Sequence, residues 1–146
     1  MSKSHKCAWA AGFIDGDGFI TIQTSHRKIN GISYKGFYLR VGACQANEAP
    51  LKELQNLFGG KINIKNSGPN KEKYNRKTQW VWTLSSKQAE SALQQMLPYL
   101  LHKREVALLA LDFQSKMTNS TRKISEEMLA YRLSIKEKIG NINSES

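Results

Sequence analysis

Four runs in the middle of the chain alternate apolar and polar residues with a period of two. Residues 37–44 set Phe37, Leu39, Val41 and Ala43 against Tyr38, Arg40, Gly42 and Cys44. Residues 61–65 oppose Ile62 and Ile64 to Lys61, Asn63 and Lys65, and residues 77–84 oppose Trp80, Trp82 and Leu84 to Lys77, Gln79, Val81 and Thr83. Residues 19–25 are less regular, mixing Phe19, Ile20 and Ile22 with the polar Thr21, Gln23 and Ser25. Because successive side chains of a strand point to opposite sides, the pattern predicts an antiparallel sheet with one apolar face and one basic, amide-rich face. A loop around Asn30-Gly31 joins the first two runs, and residues 66–77 read as a long polar hairpin loop.

Helical spacing surrounds these runs. Residues 5–17 form a first helix, with Gly18 as its left-handed exit. Residues 50–58 bury Leu51, Leu54, Leu57 and Phe58, starting at Pro50 and stopping at Gly59-Gly60. Ser85-Ser86 opens the next helix, with Gln88 in capping-box spacing. Pro98 interrupts it, and residues 99–117 continue as a second helical piece. Residues 125–139 make a terminal helix with Glu126-Glu127 in its first turn, and 141–146 read as a disordered tail.

A chain of 146 residues, 40% hydrophobic and 23% charged, predicts a single domain over residues 1–146. Its core is expected over about residues 5–117, with the terminal helix added. No apolar run approaches a membrane span, and residues 1–7 carry no secretory pattern, so no membrane partner is expected. Cys7 and Cys44 have no metal-ligand spacing. An intracellular setting is expected, with the cytoplasm and an organelle (mitochondrion or chloroplast) both open.

Charge changes the picture more than composition does. Of the net +10, residues 19–83 hold +8, from eleven Lys/Arg against three acids. Such a concentration suits a polyanion, since each neutralised phosphate releases condensed counterions.

Residues 10–18 read Ala-Ala-Gly-Phe-Ile-Asp-Gly-Asp-Gly. Asp15 and Asp17 stand at a helix C-terminus, where the macrodipole is already negative and acids are disfavoured. A cation accounts for them, because Asp17 beside a bare glycine backbone offers hard oxygen ligands of the kind Mg²⁺ takes. The calcium-binding helix–loop–helix pattern fails at both ends, since Phe13 would fall at its first ligand position and Thr24 at its closing Glu. Ala8, Gly12 and Gly16 recur every four residues and so share one helix face, which lets another backbone approach closely. That face serves either this domain's own sheet or a second copy of the chain.

The nine residues resemble the signature of the LAGLIDADG homing endonucleases, with Ala10 for the first Leu, Phe13 for the second and Gly16 for the second Ala. The order helix, two strands, helix, two strands, helices is similar to that family's αββαββα core, an α+β fold whose antiparallel sheet carries its helices on one face. A single motif per chain implies a homodimer with the two motif helices packed at its centre, and Ala8, Gly12, Asp15 and Gly16 at the interface. The resemblance implies site-specific hydrolysis of both strands of a long, partly palindromic DNA duplex, with Mg²⁺ or another divalent ion such as Mn²⁺.

On this resemblance Asp17 is a direct metal ligand and Gly16 offers its backbone carbonyl to the same ion. Asp15 is expected to bond to backbone across the helix pair. Gln45 matches a position that orders water, and Lys103, following Pro98-Tyr99, matches the family's active-site Lys. An extra basic residue common after Gln45 is missing here, with Lys52 or Arg104 as substitutes.

A two-stranded ribbon fits the major groove. Gln23, Arg27, Tyr38, Arg40, Asn63, Lys65 and Gln79 are the side chains expected on DNA, and Lys71, Lys73, Arg76 and Lys77 are expected on phosphates. Strands of about eight residues span roughly 26 Å, which for a dyad pair covers on the order of 16–20 base pairs. The rival reading is a non-cleaving nucleic-acid-binding protein on the same fold, either an intron RNA maturase or a DNA-binding regulator. Retention of Asp17 with Gln45 and Lys103 argues for cleavage. Placement of Trp80 and Trp82 on the apolar face argues against base stacking of RNA.

Overall fold

Ser2 caps the first helix through its side-chain oxygen, which accepts from the His5 amide at 3.3 Å. The structure, a computed structural model, describes residues 2–65, 78–117 and 124–145. Its elements run α1 (Lys3–Asp17), β1 (Gly18–Ile29), β2 (Ile32–Gln45), α2 (Ala49–Phe58), β3 (Lys61–Lys65), β4 (Gln79–Ser85), α3 (Ser86–Met96), a 3₁₀ turn (Leu97–Tyr99), α4 (Arg104–Ser115) and α5 (Glu126–Glu145). The sheet has the order β1-β2-β4-β3, with every neighbouring pair antiparallel. This is the α+β architecture that the patterning predicts.

The apolar face is the expected one. Ile20, Ile22, Phe37, Leu39, Val41, Ala43, Trp82 and Leu84 are buried against Ala10, Ala11 and Ile14 of α1, Leu51 and Leu54 of α2, and the inner sides of α3, α4 and α5. The Trp82 indole N–H, deep in this core, donates to the Gly59 carbonyl at 2.8 Å, so burying it leaves no polar group unsatisfied.

β1 and β2 are longer than the alternation indicates. Asn30 (φ 53°) and Gly31 (φ 80°) make a two-residue turn, and pairing runs without interruption from Gly18↔Ala43 to Ile29↔Ile32. Both central residues need positive φ, which Asn-Gly supplies most cheaply. The expected loop is therefore a tight hairpin, and the ribbon projects past the core: residues 25–35 are all exposed.

Four other expectations change. Gly18 leaves α1 in an extended conformation (φ −95°) rather than a left-handed one. Glycine is required there by space, since a Cβ would stand 2.7–3.0 Å from Ile14 atoms. The capping box at Ser85 does not form, because Ser85 is the last paired residue of β4, opposite Arg40, and its side chain makes no cap bond. Residues 99–103 do not begin a helix; α4 starts at Arg104 after a short loop. The expected disordered tail is helical as far as Glu145. There Lys136 Nζ donates to the Ile22 carbonyl at 2.9 Å and Asn143 Nδ2 to the Ile20 carbonyl at 3.1 Å. These bonds satisfy carbonyls on the edge strand of the sheet, which would otherwise be a template for pairing.

α5 is tied to α4 as well. The Tyr131 hydroxyl and the Lys116 ammonium both donate to the Asp112 carboxylate, holding its carboxyl below the usual carboxylate range.

Candidate functional site

The C-terminal end of α1 meets the root of the β1–β2 ribbon and the loop before α4. Asp17, the last residue of α1, is exposed, and its Oδ2 accepts from Gln45 Nε2, at the end of β2, at 3.1 Å. Pairing of Gly18 with Ala43 puts the two residues beside each other. Gln45's amide is the one hydrogen-bond partner of the Asp17 carboxylate among the described residues.

Asp15 points the other way. Its Oδ2 accepts from the Leu101 amide at 2.8 Å and its Oδ1 from the Lys103 amide at 2.9 Å. The Lys103 ammonium returns to the Asp15 carbonyl at 3.0 Å, satisfying one of the helix-end carbonyls that α1 leaves open. A cation there also suits the negative end of the helix dipole. The carboxylate expected to bond across a helix pair is thus engaged within its own chain. These bonds hold residues 100–103 out of the helix expected there and bring Lys103 to the same helix end as Asp17. Neither substitute basic residue is drawn to this end: Arg104 donates to the Leu97 carbonyl at 2.9 Å, and Lys52 lies 3.7 Å from Glu48.

The residues test a divalent cation by their chemistry. No group of three or more His, Cys, Asp or Glu side chains gathers among the described residues, so one chain does not build the all-protein cage that Ca²⁺ prefers. Both Asp15 oxygens are used by amides. What remains is the exposed Asp17 carboxylate beside the Gly16 carbonyl. That hard-oxygen set fits a Mg²⁺-type ion, which takes one or two carboxylates and completes its shell from phosphate oxygens and water.

The Ala8, Gly12 and Gly16 face is not used by this domain's own sheet. Gly12 and Gly16 are exposed, and a Cβ at either would meet nothing within 4 Å. Trp9 and Phe13 flank it, their rings 5.6 Å apart, with Trp9 38% exposed.

The register places Gln23, Arg27, Tyr38, Arg40, Asn63, Lys65 and Gln79 on one face, the side of the sheet opposite the core. Gln23 pairs with Tyr38 and Lys65 with Gln79, while the Arg40 guanidinium lies 5.4 Å above the Phe19 ring. Lys71, Lys73, Arg76 and Lys77 lie outside the described residues. The same face carries Thr21, Ser25, Lys61 and Thr83, which the alternation already sets on the polar side, and Tyr34, which lies outside the alternating runs. Tyr34 was findable, because a two-residue Asn-Gly turn fixes it opposite Arg27.

Comparison with known proteins agrees with the fold. The fold matches I-CvuI, solved in complex with its target in the presence of Ca and with the I-CreI target in the presence of Mg, where that DNA is not cleaved. For the Ca complex the TM-score is 0.77 at 24% identity, over 96% of this chain and 83% of that one. It also matches the archaeal intron-encoded homing endonuclease I-Vdi141I complexed with DNA (TM-score 0.74, 14% identity, 97% and 86% covered). The meganuclease I-SmaMI bound to uncleaveable DNA matches over 90% of this chain and 43% of that one (TM-score 0.64, 19% identity). No curated protein sequence matches. The LAGLIDADG endonuclease family model matches residues 10–100, more than half of the chain and the whole of the motif, sheet and α3. The chain belongs to the LAGLIDADG endonuclease family.

Proposed function

We propose that this protein is a homing endonuclease that binds a long, partly palindromic DNA duplex as a homodimer and hydrolyses both strands. The observation that carries the reading is the helix end itself. One carboxylate, Asp17, is exposed and oriented by Gln45, while its neighbour Asp15 anchors the loop that delivers Lys103. A purely structural helix end has no use for a second, solvent-facing acid at its negative pole.

Asp17, with the Gly16 carbonyl, would hold the divalent ion, Mg²⁺ by choice. When bound, such an ion activates water and offsets charge on the scissile phosphate. The chain does the rest. Gln45 fixes the rotation of the Asp17 carboxylate, and its position beside that carboxylate suits it to order water. Lys103 brings a positive charge to the same end, where negative charge develops on the phosphate. Asp15, through two amides 86 and 88 residues away, keeps that Lys in register with the motif helix.

One copy supplies one such centre, and two strands need two. The bare Gly12–Gly16 face gives a second α1 room for close packing, which would bring two Asp17 residues to a dyad. The basic sheet face supplies the duplex surface. With β1 of 12 residues, the reach rises to about 40 Å, or on the order of 20–24 base pairs for the pair. Relatives solved on DNA support this reading. Single-stranded RNA is disfavoured because Trp82 is buried and Trp80 packs against the core, leaving Tyr34, Tyr38 and Phe19, the last with the Arg40 guanidinium over its ring, as the aromatics of the open face among the described residues.

The test is a cleavage selection: purified protein, Mg²⁺ or EDTA, and randomised duplexes of about 24 base pairs, with the ends sequenced. Metal-dependent cuts inside a partly palindromic site are expected. Duplex binding without cutting under any divalent ion would make it a regulator, and tight binding to structured RNA alone would make it a maturase.

A further inference from the structure

Along the β1–β2 ribbon the two faces exchange character. Near the root, the core face carries Ile20, Ile22, Leu39 and Val41, and the open face carries Thr21, Gln23, Tyr38 and Arg40. Beyond Phe37 the core face turns polar and basic, with His26 opposite Lys35 and Lys28 opposite Ser33. The open face there turns apolar: Ile29 is paired directly with Ile32, next to the Arg27–Tyr34 pair. Ile29 is 48% exposed, Ile32 58% and Tyr34 48%.

Singly exposed apolar residues need no explanation, but these form one patch on the face that continues Gln23, Tyr38 and Arg40. They serve no core, since the helices lie on the other side of the sheet and residues 25–35 are all exposed. Solubility would favour the opposite arrangement, because an exposed apolar hairpin edge invites aggregation. The surroundings select the occupant. Arg27, Lys28 and Lys35 lie within the same segment and no acid does, so the patch sits in a field suited to a polyanion. The apolar feature of a duplex major groove is the thymine C5-methyl group.

We propose that Ile29, Ile32 and Tyr34 read thymine methyl groups at the outer ends of the DNA target. This rests on the duplex-binding reading above. Eleven residue steps separate Ile29 from Gly18 at the root, about 36 Å along the strand. That places the methyls about ten base pairs from the centre of the site, at roughly 3.4 Å per step.

The probes are the full chain and the duplexes it recovers from a randomised pool. Thymine enriched on either strand at positions about nine to eleven from the centre is the expected first result. Replacing those thymines with deoxyuridine removes the methyl and nothing else. Affinity, measured by fluorescence anisotropy, is expected to fall about four- to tenfold per half-site. Placing a C·G pair there and then 5-methylcytosine should restore part of the loss. The I29S/I32S double variant should bind the thymine duplex as weakly as wild type binds the deoxyuridine duplex, and show no further loss on deoxyuridine. Its circular dichroism and Tm report whether it folds. Outer positions without thymine, unchanged affinity on deoxyuridine, or a variant that still senses the methyl would each overturn the proposal while leaving duplex binding intact. Failure to bind any duplex in the pool overturns both readings.

Discussion

The root and the tip of the β1–β2 ribbon share one backbone ladder and differ in almost everything else. The root is closely packed. A Cβ on Gly42 would collide with the Trp82 carbonyl and the Phe19 ring, and one on Gly18 with Ile14. At the tip, residues 25–35 are exposed and a Cβ on Gly31 would meet nothing within 4 Å. Chemistry at a phosphate tolerates little displacement, and the proposed function places Asp17 and Gln45 at this closely packed end. Base recognition varies with the target, and side chains at the tip can change without disturbing the core. On the proposed function, the comparison teaches that one hairpin can join a closely packed end for chemistry to an exposed end for reading bases.

Breaking the root should have the largest effects. Asp17→Asn is expected to lower cleavage on the order of a thousandfold while duplex affinity stays within about twofold; unchanged cleavage in a time-course gel assay would remove Asp17 from the metal site. Gly12→Leu should leave the circular dichroism of the folded chain unchanged, because its Cβ points into open space, yet halve the sedimenting mass and abolish double-strand cutting. A dimer that persists in the ultracentrifuge would move the pairing surface elsewhere.

Stability sharpens the contrast. Leu39→Ala, fully buried near the root, should cost about 2–5 kcal/mol by urea unfolding. Asp15→Ala removes both amide bonds to the loop and should cost about 1–3 kcal/mol, with a larger proportional loss of cleavage than of DNA affinity because Lys103 loses its anchor. Ile32→Ser at the tip should change unfolding free energy by no more than about 0.5 kcal/mol. A tip variant as damaging as Leu39→Ala would mean that the tip is part of the folded core after all.

Legibility in the sequence followed range. The motif, the two faces of each strand and the core helices could be read locally, because a side chain's face depends on the period of its own element. Even the turn at Asn30-Gly31 carried its signal, and with it the placement of Tyr34. Other features had no local trace. Residues 99–103 look helical until Asp15 takes the amides of Leu101 and Lys103, and residues 141–145 look frayed until Asn143 finds the edge carbonyl of Ile20.

The sequence by itself determined the family, the strand faces and the identity of the two acids. The tertiary structure decided what each acid meets. Asp15 and Asp17 are two residues apart on a helix of 3.6 residues per turn, so their side chains diverge by about 160°. One is turned to a loop that arrives 86 residues later, where both its oxygens are taken by backbone amides; the other is turned toward Gln45 and solvent, where it stays exposed with one oxygen bonded to Gln45. Which neighbour stands on which side is a property of chain closure, and no period within the nine residues records it.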